Sequence, residues 1–402
     1  MRANPTKAFA GILLLVFLAQ CLWLIHAELR SESGCYPEGT MARQSRVSEG
    51  LAEIRGVRIA GVPDAARSAA APHQPTLREF DAYRSPLWYL IAAAPVAAGP
   101  APSTPTREAL WLWLTRIPYL IFGVLLGASL WYVTRRLYGN AGGLIALVLY
   151  SFSPAMVQNT SELCRDSEIG TAWGAFGAIF TAIALAHTLY APREVILWNW
   201  RRIILLGISL ALAIGSQFSL VIILPMTLGL FLYLAPERRG AATVIWAAAC
   251  GIAGVSLSAV YWFHIRVIGQ ALRNARLVDV TPAAFAMVAS YRNAVLFLAH
   301  SSPPLVVFLP ATVVVCAGWR RARYFGNIAP ILAAAVFLGL GIAAPDFPGF
   351  GFLLISLPFL FAAVAGVFAD LLETRYGSPL RLAIAALLSA YALWSLIALA
   401  QV

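Results

Sequence analysis

The segment RIPYLIFGVLLGASLWYVTRRLYGNAGGLIALVLYSFSPAMVQNTSELCRD occupies residues 116–166. It contains two apolar runs that are joined by a short basic turn at Arg135 and Arg136. A helix of about 20 mainly apolar residues is long enough to cross the hydrocarbon core of a membrane. The segment therefore predicts two membrane helices in a hairpin, followed by a charged loop around Asp166 on the far side.

The composition of the whole chain is that of a membrane protein with many spans. Of its 402 residues, 60% are hydrophobic and 12% are charged, and the mean hydropathy is +0.76. This is too apolar for a soluble domain. The net charge of +11 comes mainly from arginines near helix ends, where they set topology, so it does not indicate a nucleic-acid partner.

The segment from Pro86 to Ala98 decides the topology, because counting it as a span would reverse every later loop. It has about 13 apolar residues, too few to cross roughly 30 Å of hydrocarbon, and we expect it along the outer interface. The basic clusters then all fall in the cytoplasm. The N-terminus is cytoplasmic and the C-terminus extracytoplasmic. The first apolar run is interpreted as a retained helix, with a signal peptide as the other interpretation.

The sequence thus predicts an all-α polytopic membrane protein with a single domain over residues 1–402 and about 11 spans. The predicted spans are Ala8–Ala27, Pro118–Val133, Gly142–Val157, Gly170–Tyr190, Ile203–Gly215, Leu220–Leu234, Ala242–Phe263, Ala294–Trp319, Ile328–Ala344, Phe352–Ala369 and Leu380–Val402.

The first extracytoplasmic loop, residues 28–116, is the longest hydrophilic region. We expect ordered interfacial pieces at 41–60 and 78–98 and a linker at 99–107, because a long loop in a tightly connected bundle often carries function. Its Cys35 and the Cys164 of the second outer loop are a hypothetical disulfide pair, since both fall on the oxidising side.

Several arginines are predicted at outer helix ends, where topology alone does not place them. A guanidinium suits bidentate phosphate binding, while lipid headgroups or nearby Asp166, Glu168 and Asp279 are the alternative partners. Lys7 is the only lysine in the chain, so side-chain cations for an anionic substrate come from arginine. The outer arginines are Arg116, Arg165, Arg266, Arg273, Arg276 and Arg292.

The order of motifs resembles the GT-C glycosyltransferases that use polyprenyl-phosphate sugars, a superfamily with protein O-mannosyltransferases, aminoarabinose transferases and phospholipid-carrier-dependent glycosyltransferases. The resemblance is strongest from Arg116 to about Pro225. It rests on Arg116-Ile117-Pro118, Thr134-Arg135-Arg136-Leu137-Tyr138-Gly139, Ala141-Gly142-Gly143, Ser153-Pro154 and Asp166. Farther on, IGSQFSLVIILP resembles the family's L-T-K-[FY]-[ST] helix, and GFLLISLPFLF resembles its final R-[YH]-L-L-P-x-x-P-F-L.

The chain departs from this family where the chemistry is done. Ala42 and Arg43 stand at the family's acidic pair, and the family's E-H-P-P-L corresponds to Tyr83-Arg84-Ser85-Pro86-Leu87. Gln217 occupies the lysine position of L-T-K, and Phe352 the arginine position near the end. If the alignment of the first loop is shifted, Glu32, Glu38 or Glu49 is the missing acid.

The resemblance implies inverting transfer of a hexosyl or pentosyl group from a polyprenyl-phosphate carrier to an acceptor lipid, glycan or protein. An outer-loop acid would be the base, and cations or a divalent metal would stabilise the leaving phosphate. The five histidines show no metal-ligand spacing. The catalytic candidates are Asp166, Asp81 and Glu79, and the substrate-binding candidates are Arg84, Arg116, Arg165, Gln217 and Arg266.

Two other functions fit the same sequence. A catalytically silent lipid-carrier-binding or assembly subunit would keep the fold and lose the acids. A transporter of lipid-linked sugar would use a broken helix at Ile214–Ser219 to line its pathway. The arginine-rich composition and short loops favour a bacterial inner membrane as the location in all three cases.

Overall fold

The structure, a computed structural model, describes residues 5–30, 83–97, 105–161, 167–190, 199–277, 280–344, 351–374 and 377–401. Within these ranges every regular element is a helix, which confirms the all-α prediction. The helices are α1 (Pro5–Arg30), α2 (Pro86–Ala93), α3 (Pro105–Ser151), α4 (Pro154–Ser161), α5 (Ile169–Thr188), α6 (Trp200–Ser216), α7 (Ile223–Leu234), α8 (Arg239–Val260), α9 (Ile265–Asn274), α10 (Val288–Ser301), α11 (Leu305–Gly318), α12 (Phe325–Ala343), α13 (Gly351–Leu372) and α14 (Gly377–Ala400).

The helices divide into two compact units. The first unit holds the described residues of Met1–Ser31, Tyr119–Phe176 and Asp279–Val402. The second unit holds those of Glu32–Pro118 and Gly177–Val278.

The predicted hairpin lies in the first unit and turns at Gly139 inside α3. Gly139 has φ 74° and ψ −172°, a conformation that side chains with a Cβ rarely adopt. Beyond this turn the second arm of α3 runs back along the first. The two arms are in contact, since the Tyr150 hydroxyl donates a 2.6 Å hydrogen bond to the Gly123 carbonyl. The sequence LYGNAGG thus specifies the reversal.

Three helix ends that the charge pattern assigns to one side of the membrane meet in the first unit. Tyr138, at the end of the first arm of α3, donates to the carbonyl of Gly326 at the start of α12. Asn327 Nδ2 donates a 2.8 Å hydrogen bond to Asp370 Oδ2 near the end of α13. These polar contacts join the ends of α3, α12 and α13.

The core of the first unit is built around α13, which is buried along most of its length. It packs against α12 and α11 through aromatic pairs. Phe337 stacks on Phe359 with ring centroids 5.5 Å apart, and the rings of Phe308 and Phe368 are 4.7 Å apart. The sequence GFLLISLPFLF is apolar on all sides because this helix is surrounded by protein.

Two helix breaks in the first unit face each other. The helical structure is interrupted at Ser153 and again between α10 and α11. Backbone carbonyls at these interruptions lose their helical partners and need other donors. The Ser153 hydroxyl donates to the Ser301 carbonyl at 2.6 Å, Gln20 donates to Ser151 at 3.0 Å, and Ser395 donates to Phe152 at 2.8 Å. Side chains therefore satisfy the carbonyls that the breaks expose.

The second unit packs α6 against α8, with α7 and α2 alongside. Close contact between α6 and α8 depends on Gly207, since a Cβ there would lie 2.6 Å from the Cβ of Ile252. Helix α6 ends at Ser216, and a short 3-10 helix, Phe218–Ile222, leads into α7. The broken helix predicted at Ile214–Ser219 is therefore present.

By length and composition, seven described helical stretches are long and apolar enough to cross a membrane, or eight if the bent pair α10 and α11 is one span. The whole hairpin of α3, from Trp113 to Ser151, is one of these stretches. The predicted span Ala294–Trp319 is divided between two helices, since α10 and α11 are bent by 111° at the break between them. The helix from Pro86 is short, as predicted, with eight residues and a 3-10 turn at Ala94–Val96. The count of 11 is not confirmed.

Candidate functional site

In the second unit, the Tyr83–Leu87 turn is bound to the break between α6 and α7. The Ser85 amide and hydroxyl donate to the carbonyl of Gly215 at 2.9 and 2.7 Å. The Phe218 amide donates to the Tyr83 carbonyl at 2.8 Å. Two sequence segments that both align with motifs of the GT-C resemblance, but are separated by 130 residues, are therefore in direct contact.

The local sequence explains this geometry. Ser85 is the N-cap of α2, because its hydroxyl accepts from the Leu87 amide at 3.2 Å, and Pro86 fits the first helical position. Gly215 permits the close approach, since a Cβ there would lie 2.7 Å from Leu87 Cδ2 and 3.2 Å from Ser85 Oγ. Gly215 therefore leaves the space that the side chains of Ser85 and Leu87 occupy at the start of α2.

The predicted residues Arg84 and Gln217 are both buried beside this junction. Arg84 is 7% exposed, and its guanidinium lies 5.0 Å from the ring centroid of Trp88, a cation-π arrangement. Gln217 is 2% exposed and donates to the Ser219 hydroxyl at 2.8 Å. The structure thus brings the segments of these two predicted substrate-binding residues together.

Arg276 also reaches this junction, although the sequence did not single it out from the other outer arginines. Its Nη1 donates to the Tyr83 hydroxyl at 3.3 Å, and its guanidinium lies 5.9 Å from the centre of the Tyr83 ring. No sequence signal separates Arg276 from Arg266 or Arg273. We name the group formed by Tyr83, Arg84, Ser85, Gln217 and Arg276 the turn cluster.

The first unit contains a buried carboxylate at the start of α5. Glu168 is 1% exposed, and its amide donates to Asn159 Oδ1 at 2.8 Å. It follows Asp166 by two residues. This pair of acids, spaced i, i+2, is the sequence signal that could have identified Glu168 as a candidate site residue. Sequence reasoning treated Glu168 only as an ion-pair partner of outer arginines.

The environment of Glu168 is polar on the α4 side. Asn159, Thr160 and Ser161 at the end of α4 are all buried. The hydroxyls of Thr160 and Ser161 donate to the carbonyls of Met156 and Val157, at 2.6 and 2.7 Å, which leaves the Asn159 amide group to hold the Glu168 backbone. The end of α4 thus fixes where α5 begins.

Two other predicted residues lie on separate helices. Arg116 is 1% exposed, on the first arm of α3. Arg266 is exposed on the short helix α9. Phe352, at the family's arginine position, is a buried core residue of α13.

Several predictions fall outside the described residues. They are the catalytic candidates Asp166, Asp81 and Glu79, the substrate-binding candidate Arg165, the Cys35 and Cys164 pair, and Ala42 and Arg43.

A divalent metal would need a set of oxygen or nitrogen ligands. Within the described ranges, no group of three or more His, Cys, Asp or Glu side chains is placed to hold one. Glu168 is a single carboxylate there, and the described side chains do not complete a ligand set around it.

Comparison with known proteins identifies the fold. No family model and no curated protein matches the sequence. A solved structure that matches is the archaeal oligosaccharyltransferase AglB from Archaeoglobus fulgidus, in complex with an inhibitory peptide and a dolichol-phosphate, with a TM-score of 0.59 and 14% sequence identity. The match covers 98% of this chain and 55% of AglB. This chain has a GT-C fold.

This is the fold that the resemblance of the motifs from Arg116 to Asp166 implied. The chain spans about half the length of AglB, 55%. The match shows the arrangement of the helices and leaves the chemistry of this chain to be argued from its own residues.

Proposed function

We propose that this chain is a membrane glycosyltransferase that moves a sugar from a polyprenyl-phosphate carrier to an acceptor lipid, glycan or protein. The reaction takes place on the extracytoplasmic face of a bacterial inner membrane. The proposal includes about 11 spans with the N-terminus in the cytoplasm. The complex of AglB with a dolichol-phosphate and a peptide supports a lipid carrier and an acceptor of these kinds.

The observation that carries the proposal is the buried carboxylate of Glu168, two residues after Asp166, in a chain with a GT-C fold. Burial of a carboxylate is unfavourable unless the group is paired or hydrogen-bonded, and buried titratable groups of this kind are concentrated at functional sites. In the described spans few residues are charged, so a buried acid at a helix start stands out.

The reaction assigned to this acid is a direct displacement. The acceptor hydroxyl attacks the anomeric carbon, and its proton passes to the carboxylate of Asp166 or Glu168 as the new C–O bond forms. The bond between the anomeric carbon and the phosphate oxygen breaks, and the polyprenyl phosphate leaves with the electron pair. Attack from the opposite face inverts the anomeric carbon. Asp81 and Glu79 are the alternative bases in the first loop.

The leaving phosphate gains negative charge and needs donors. In the turn cluster, Arg84 and Arg276 are arginines held by aromatic rings, and a guanidinium matches a phosphate with two hydrogen bonds. Gln217 adds a neutral amide where the family has lysine. Arg116, Arg165 and Arg266 are further candidates for the same phosphate.

The proposal is tested by sugar transfer in proteoliposomes with a panel of polyprenyl-phosphate sugars and acceptors. We expect turnover by the wild-type chain and a loss of at least about 100-fold in Glu168→Gln or Asp166→Asn. The matched control is Glu237→Gln, which changes an exposed acid and should leave turnover unchanged. Loss of turnover in the control as well would contradict the assignment.

A silent lipid-carrier-binding subunit is the second candidate, and one observation favours it. The Tyr83–Leu87 turn is bound to the break between α6 and α7, although Tyr83 and Arg84 stand where the family has glutamate and histidine, and Gln217 where it has lysine. This function predicts retained binding of polyprenyl phosphate with no turnover from any donor, and no effect of Glu168→Gln on that binding.

A further inference from the structure

The end of α8 carries an unusual turn that leads into α9. Trp262 and Phe263 both have positive φ angles, 51° and 56°. Bulky side chains seldom adopt this conformation. Backbone hydrogen bonds hold the turn, since Trp262 donates to Ala259 and Phe263 donates to Ser258, each at 2.9 Å. The chain thus changes direction directly after a helix that is long and apolar enough to cross a membrane.

The turn presents both aromatic rings to the surroundings. Trp262 is 56% exposed and Phe263 is 61% exposed. Aromatic side chains are enriched at the depth where the hydrocarbon of a membrane meets the headgroups. Their position at the end of α8, which is long and apolar enough to cross the hydrocarbon, places the following helix at that depth.

Helix α9 has two distinct faces. Ile265, Ile268 and Leu272 follow the i, i+3, i+7 spacing of an apolar stripe, and Ile265 and Leu272 are 83% and 65% exposed. Arg266 and Arg273 are seven residues apart and share the polar side of the helix. An exposed apolar face beside a cationic face is typical of a helix that lies in a membrane surface.

The charge of this region has one sign. Residues 261–277 contain Arg266, Arg273 and Arg276 and no Asp or Glu, and Asp279 follows them. Helix α9 itself therefore carries no acidic residue to pair with its arginines. Anionic headgroups complement a face of this kind.

Arg276 connects this helix to the turn cluster. It follows α9 by two residues, and its guanidinium contacts Tyr83, whose carbonyl accepts from Phe218. A movement of α9 therefore moves Arg276, and through Arg276 it affects the Tyr83–Leu87 turn before α2.

We propose that α9 docks on the anionic phospholipid surface of the membrane, with Ile265, Ile268 and Leu272 among the acyl chains and Arg266 and Arg273 on the phosphates. Docking orders the Tyr83–Leu87 turn through Arg276. The proposal concerns bulk phospholipid and does not rest on sugar transfer, so it survives a failure of the proposed function.

The test is hydrogen–deuterium exchange of the full chain in nanodiscs, either of phosphatidylcholine alone or of phosphatidylcholine mixed with phosphatidylglycerol. We expect phosphatidylglycerol to slow amide exchange over residues 262–274. Each of Arg266→Gln and Arg273→Gln should remove about fivefold of that slowing, because an arginine at an anionic surface contributes about that factor. Arg202→Gln, an exposed arginine at the start of α6, is the matched control and should leave residues 262–274 unchanged.

The coupling is tested by Arg276→Gln in the same nanodiscs. This variant should abolish the effect of phosphatidylglycerol on residues 83–88 and keep the effect on residues 262–274. Equal exchange of residues 262–274 in both lipids would overturn the proposal, as would slowing that depends on the number of chains per disc instead of the lipid, which would show that a second copy covers α9.

Discussion

The hydroxyl of Ser85 donates a 2.7 Å hydrogen bond to the carbonyl of Gly215. The same hydroxyl accepts from the Leu87 amide and so begins α2. One side chain therefore fixes both the start of a short helix and its attachment to the break after α6. Arg84 directly precedes Ser85, and Gln217 follows Gly215 by two residues. The bond between Ser85 and Gly215 therefore also fixes the backbone beside both candidate phosphate ligands.

Replacing this serine tests the junction. Ser85→Ala removes the bond to Gly215 and the N-cap of α2, and we expect a loss of about 1–2 kcal/mol in the free energy of unfolding. The measurement is the midpoint of unfolding by SDS in mixed micelles. Ser256→Ala is the matched control, because among the described residues the Ser256 hydroxyl donates to the Ile252 carbonyl of its own helix, at 2.8 Å. An equal shift in both variants would contradict the role of Ser85.

The resemblance of the motifs, taken with the apolar runs, predicted more of the fold than of the site. The hairpin at Gly139 was predictable because a basic turn with glycines separates two apolar runs, and the short helix from Pro86 because too few apolar residues follow it. The bend between α10 and α11 was missed although Ser-Ser-Pro-Pro at residues 301–304 marks it, because the apolar residues on both sides together have the length of one span. Proline lacks the backbone N–H that continues a helix, so Pro303 and Pro304 separate the two helices.

The sequence does not predict which distant segments come together in the site. The segments of Arg84 and Gln217 were predicted separately from motif positions, and nothing in the sequence states that they touch. Arg276 joins them through Tyr83, a contact across 193 residues that no local pattern encodes. Glu168 was readable as an acid near Asp166, but its burial follows from the packing of α4 and α5.

A glycine on α13 is expected to be essential for packing in the first unit. A Cβ at Gly366 would clash with Asn327 Oδ1 and lie 2.7 Å from the Tyr138 ring. We expect Gly366→Ala to lower the free energy of unfolding by about 1–3 kcal/mol, because overpacking displaces these side chains. The measurement is again SDS unfolding in mixed micelles.

The control for Gly366 is Gly339→Ala on α12, where an added Cβ meets nothing within 4 Å. Alanine has the higher helix propensity, so this variant should be as stable as the wild type or slightly more stable. A Gly366→Ala chain that unfolds at the wild-type midpoint would show that α13 moves away from Asn327 and Tyr138 without cost.

The buried arginine of the turn cluster is expected to bind phosphate. Arg84→Gln should weaken the binding of polyprenyl phosphate by about tenfold or more, because one charge-assisted hydrogen bond to an anion is worth about 1.5–3 kcal/mol. The measurement is a titration of the purified chain with a short-chain polyprenyl phosphate. Arg202→Gln is the exposed control and should bind as the wild type does. Unchanged affinity in Arg84→Gln would remove Arg84 from the phosphate site.

The release of polyprenyl phosphate from a polyprenyl-phosphate sugar, followed by phosphorus NMR in proteoliposomes, tests the central claim most directly. We predict that the wild-type chain with an acceptor releases one polyprenyl phosphate for each sugar transferred, and that Glu168→Gln does not. Binding of the donor by the wild-type chain with no release, across the whole panel of donors and acceptors, would contradict a glycosyltransferase and leave the lipid-carrier-binding subunit as the function.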